Sequence, residues 1–120
     1  MNANKNVMIL AGQIGVGKTR LISAFAESRG GVAIATGPRL PDGFFDADVL
    51  VIDEAPALTP EGLIAVVETA RQLDKKLILV CQHPSQINHP ALSGLLVGVL
   101  PSTSPAAERR FDALISDFLN

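Results

Sequence analysis

The sequence has one cysteine, no tryptophan or tyrosine, no excess of positive charge and no long apolar run, and each shortage removes a class of protein. Cys81 alone can close no intrachain disulfide, and no set of Cys and His has zinc-site spacing. Five Phe supply all the aromatic side chains, so a core must be built from Val, Ile, Leu and Ala. A net charge of −2 gives the chain as a whole no basic field for nucleic acid, and any such contact needs a local patch. The apolar run Val7 to Leu10 is too short for a signal peptide. The stretch Ala91 to Leu100, interrupted by Ser93, Gly94 and Gly98, falls short of the roughly 20 residues of a membrane helix. No membrane span is expected, and the cytosol is the expected compartment.

What is present suits one buried core: 48% of residues are hydrophobic and 18% charged, and residues 1–120 read as a single domain. Short apolar runs alternate with helical patterns. Val7 to Ala11, Val32 to Ala35, Val49 to Asp53 and Leu77 to Cys81 read as strands, with a weaker fifth at Leu95 to Leu100. Lys18 to Ser28 carries Leu21, Ile22 and Phe25 on one helix face, and Gly30-Gly31 stops it. Thr59 and Pro60 open a second helix with a stripe of Leu63, Ile64, Val67, Ala70 and Leu73. Ser104-Pro105 is read as the cap of a last helix with Phe111, Leu114, Ile115, Phe118 and Leu119 on one side. Strands apolar on both faces, alternating with helices, imply an α/β fold of three layers around a mostly parallel, five-stranded sheet.

Gly12-Gln13-Ile14-Gly15-Val16-Gly17-Lys18-Thr19 fits G-x-x-x-x-G-K-[ST]. The glycines let the backbone turn tightly and approach phosphate oxygens, successive N–H groups point inward, and the helix starting near Lys18 adds its positive end. Lys18 is placed to neutralise the β- and γ-phosphates, and the Thr19 hydroxyl to ligate Mg²⁺. With Arg20 directly behind, these residues are the expected contacts of a nucleoside triphosphate. A chance match somewhere in the chain has odds of roughly 0.5% from average residue usage, and this one sits between a strand pattern and a helix pattern.

Asp53 closes the third strand pattern and Glu54 follows. Downstream of a phosphate loop, a strand-end Asp holds the Mg²⁺ shell, and a Glu just beyond it is placed to polarise an attacking water. Two solvated acids at a strand exit would also give this pair; the loop upstream, in the right order, favours the chemical reading. Gln82 ends the fourth strand, where its amide reads either as a γ-phosphate contact or as a polar strand terminus. His83 reads as a loop histidine, and Cys81 as a small core hydrophobe.

This succession resembles the additional-strand catalytic-glutamate division of P-loop NTPases. The resemblance implies an extra strand between the phosphate-loop strand and the Asp53 strand, and hydrolysis rather than kinase chemistry. Within that division, Leu77 to Asn88, with Gln82, Pro84 and Ile87, resembles a segment of zonula-occludens-toxin-like ATPases, phage and mobile-element relatives of the HerA/FtsK DNA-pumping motors. Those proteins are typically longer and often carry a membrane segment, for which no run exists here. Partition-type ATPases carry a Lys where this chain has Gln13. Viral superfamily-1 helicases need a second motor domain. Nucleotide kinases need a lid, for which Asp74 to Leu77 leaves no room. Gln82-His83-Pro84-Ser85 is not the base-reading motif of small GTPases, so ATP is favoured over GTP. The resemblance therefore implies an ATPase that uses ATP and Mg²⁺, with Lys18, Glu54 and Gln82 in catalysis and Thr19 and Asp53 at the metal, coupled to DNA transfer, packaging or remodelling. The alternative is a nucleotide-dependent switch that binds a protein partner. Motors of this kind complete the site with an arginine from a neighbouring copy in a homo-oligomer; Arg39, Arg109 and Arg110 are candidates, each equally readable as solvated surface.

Overall fold

The computed structural model describes residues 6–13 and 17–120; Ile14, Gly15 and Val16 of the expected phosphate loop lie outside them. Five strands, β1 (Val7–Ala11), β2 (Val32–Thr36), β3 (Val49–Asp53), β4 (Lys76–Cys81) and β5 (Leu96–Val99), form one sheet in the order β2-β3-β4-β1-β5. Every pairing is parallel, where the sequence led us to expect a mostly parallel sheet. The order puts β4 between β1 and β3. A parallel sheet needs cover on both faces, and the central strands show it: all residues of β1 and β3 are buried, as are Leu77 to Cys81 of β4.

The alternation of side chains divides the core in two. Val7, Ile9, Leu50, Ile52, Leu77 and Leu79 face α2 (Pro60–Gln72) and pack with its Leu63, Val67 and Ala70. Met8, Leu10, Val49, Val51, Ile78 and Val80 face the other way, onto α1 (Lys18–Arg29) and α3 (Ser104–Leu119). The arrangement is thus three layers, helix, sheet and helix. Among the described residues no helix is long and apolar enough to cross a membrane.

Local chemistry explains the element ends. The Thr59 hydroxyl accepts the Gly62 N–H at 3.1 Å and Pro60 follows it, so α2 starts where the sequence places it; such a cap contributes about 1 kcal/mol. The expected stripe needs two corrections. Leu73 is not part of it: α2 ends at Gln72, and Leu73 sits past the last turn, 49% exposed. Val66 is buried in its stead. The last helix takes Thr103 as its N-cap, with Ser104 already its first residue, so the expected Ser104 cap lies one position late. The fifth strand is shorter than expected, because Leu95 and Leu100 turn into the core on either side of it. As the sheet edge, β5 leaves Leu96, Val97 and Val99 exposed. Its Gly98 permits a close approach, since a Cβ there would meet Leu114 of α3 at 2.7 Å.

Candidate functional site

In a parallel sheet every strand delivers its following loop to the same edge, and ligands of open α/β sheets sit in the crevice outside the carboxyl ends of the strands. Here the loops after β1, β3 and β4 converge there. The Gly12 N–H donates to the Cys81 carbonyl at 3.1 Å, tying the loop after β1 to the end of β4. Between them opens a cleft of about 650 Å³, lined among others by Lys18, Thr19, Asp53, Glu54 and Gln82. Sequence positions spread over 65 residues thus share one cavity because of the strand order.

The first turn of α1 carries the cleft's positive charge. Gly17 precedes it in the left-handed region (φ 84°, ψ 31°), a conformation that a side chain would strain, and no side chain caps the helix. Gly12 does not need this freedom, because it is not among the glycines of positive φ; it is buried where the chain passes β4. The Lys18 ammonium donates to the Gly12 carbonyl and, at 3.2 Å, to the Gln13 carbonyl. Lys18 also lines the cleft. Arg20 lines the same rim, with its guanidinium 3.6 Å from where a Cβ on Gly17 would lie.

Across the cleft, Thr19 Oγ1 donates to Asp53 Oδ2 at 2.8 Å, although the two residues belong to different elements. Asp53 is the one buried charged residue among those described, 6% exposed, and its other oxygen accepts the Glu54 N–H at 3.0 Å. These bonds stabilise a carboxylate whose burial alone would be costly. The pair presents hydroxyl and carboxylate oxygens, hard donors suited to Mg²⁺. Among the described residues no group of three or more His, Cys, Asp and Glu could hold a metal ion. A cation at Thr19 and Asp53 would therefore take its remaining ligands from phosphate and water, the usual coordination of Mg²⁺.

Glu54 is exposed on the cleft wall, and its backbone is left-handed (φ 57°, ψ 46°), unusual for a residue with a side chain. That turn drives the chain directly into a short 3-10 turn at Ala55–Ala57, and both Glu54 and Asp53 line the cleft. Gln82 is exposed at the end of β4 and lines the cleft. Cys81 is a buried core residue, as expected, yet it borders the cleft too. Burial pushes its thiol up from the ordinary value; the Lys18 charge and a backbone hydrogen bond at His83 pull it part of the way back. The thiol therefore stays protonated at neutral pH, and it is a poor nucleophile.

Not every candidate reaches the cleft. His83 bonds Ser85 instead, through Nδ1 at 2.8 Å from its hydroxyl oxygen. Arg109 and Arg110 line a separate groove beside Val99 and Leu100, and Arg39 is an exposed loop residue. Gln86 was missed by sequence reasoning, and it lines the cleft. Its signal was present: His83, Pro84 and Gln86 have the spacing of a capping box, with His in the cap position. No family model matches the chain, and no curated protein matches it.

Proposed function

We propose that the chain is a P-loop ATPase that binds MgATP in the cleft at the strand ends and hydrolyses it, coupling turnover to DNA transfer, packaging or remodelling. The observation that carries this reading is the 2.8 Å hydrogen bond between Thr19 and Asp53, which line one cleft together with Lys18 and Glu54. A threonine hydroxyl and a buried carboxylate held together beside an ammonium suit a magnesium–triphosphate complex better than a neutral ligand. The order β3-β4-β1 supports the reading as well, because it sets a strand between the loop strand and the Asp53 strand, as in the proteins the sequence resembles.

The roles follow from position. Lys18 and the amides of the first turn of α1 would bind the phosphates, while Thr19 and Asp53 would hold Mg²⁺, which would screen phosphate charge. Glu54 orients and deprotonates the attacking water, and Gln82 contacts the γ-phosphate. A second reading, a nucleotide-dependent switch acting on a protein partner, is favoured by one property, the net charge of −2, which offers DNA no general attraction.

Rates of ATP hydrolysis with and without single- and double-stranded DNA, at low and moderate salt, decide between them. The ATPase reading expects magnesium-dependent turnover that falls by roughly 10²-fold or more in Glu54→Gln, a typical loss for a general base. Stimulation by DNA supports the motor. A magnesium-dependent rate that DNA leaves unchanged at every salt supports the switch, and a Glu54→Gln rate equal to the parent's removes Glu54 from the chemistry.

A further inference from the structure

We propose that Gln86 is a positioning residue of the cleft, one that sets the direction of Gln82; the inference rests on the hydrolysis reading above. After Cys81 the chain leaves the sheet, and the ladder no longer orients it. At that point the Gln86 side chain takes over. Its Oε1 accepts the Gln82 N–H at 2.9 Å and the His83 N–H at 3.1 Å. Two N–H donors converging on one atom require an acceptor, so the amide is oriented with its oxygen inward. The Gln86 N–H closes the turn onto the His83 carbonyl at 3.0 Å, and His83 Nδ1 accepts the Ser85 N–H at 3.2 Å.

The result is a ring from residue 82 to residue 86, closed at both ends. Among the described residues, the link in it that reaches back to Gln82 is the Gln86 oxygen. The peptide preceding Gln82 is held by Gly12 on the Cys81 carbonyl and by Gln86 on the Gln82 N–H, and the peptide following it is held by Gln86 through the His83 N–H. Fixed on both sides, residue 82 directs its side chain toward the cleft. Without the Gln86 oxygen, the Gln82 and His83 N–H groups lose their acceptor and the peptide between them is free to turn, while β4 and the Gly12 contact to the Cys81 carbonyl stay in place. Gln86 thus acts on catalysis through Gln82 and leaves nucleotide affinity to Lys18 and Thr19.

The test is a double-mutant cycle read as kcat and as the affinity for a non-hydrolysable MgATP analogue, in the parent, Gln82→Ala, Gln86→Leu and the double variant. Gln86→Leu is expected to lower kcat about tenfold or more while affinity stays within about twofold, and the double variant is expected to be no slower than the slower single one. Multiplying effects, an unchanged kcat, or lost affinity at parental kcat would each overturn the proposal. Amide hydrogen exchange gives a readout independent of turnover: Gln86→Leu should deprotect the Gln82 and His83 amides, and Gln86→Glu, which keeps an acceptor oxygen at the same reach, should restore them. Full protection in Gln86→Leu would overturn the proposal even in a parent protein that hydrolyses nothing, an outcome that by itself sinks only the ATPase reading.

Discussion

Glu54 pays for its place with backbone strain. A residue other than glycine in the left-handed region costs roughly 1–2 kcal/mol, and such strain gathers at functional sites because the surrounding structure enforces it. Glu54 is held there by the Asp53 carboxylate on its own N–H and by the 3-10 turn that begins at Ala55. Replacing it by glycine should therefore raise stability in chemical denaturation by about 1 kcal/mol while hydrolysis is lost. Glu54→Gln, which keeps the strain, should leave stability unchanged. Equal stability in Glu54→Gly and the parent would show that the turn costs nothing, and the argument for a site-specific strain would fail. Part of this was readable from the sequence: Asp53 and Glu54 were recognisable as a strand-end pair. The left-handed turn was not, since no local propensity of Glu announces it.

At the level of elements, β1, β3 and β4 were the most legible, because burial on both faces leaves an uninterrupted apolar run. The edge strand was less so. Its neighbours Leu95 and Leu100 look like strand in the sequence, yet they leave it to fill opposite faces of the core. Gly98 explains how α3 comes down onto this edge, as Leu114 fills the space that a side chain at 98 would need. Gly98→Val should therefore lower stability by about 1–3 kcal/mol through overpacking, measurable as a drop in the denaturation midpoint. A midpoint at the parental value would mean that α3 does not pack on β5 this closely. The helix ends show the same limit of legibility. Pro60 and Thr59 mark a start by their own chemistry, whereas the choice between Thr103 and Ser104 is made by how the chain enters the helix. Gln86 belongs here too, because its role depends on a turn that brings its oxygen back to residue 82.

For the whole molecule, what matters is that a parallel sheet with β4 in the middle gathers three loops at one edge. Lys18, Thr19, Asp53, Glu54 and Gln82 meet in one cleft, whereas Arg39, Arg109 and Arg110 remain outside it. The cleft is expected to bind a triphosphate through the Lys18 ammonium. The direct measurement is calorimetric titration of MgATP into the parent protein and into Lys18→Ala. Loss of a charge-assisted contact to phosphate should weaken binding by roughly tenfold or more, with the variant still folded. Equal affinity in the two proteins, or no binding to the parent, would contradict the account.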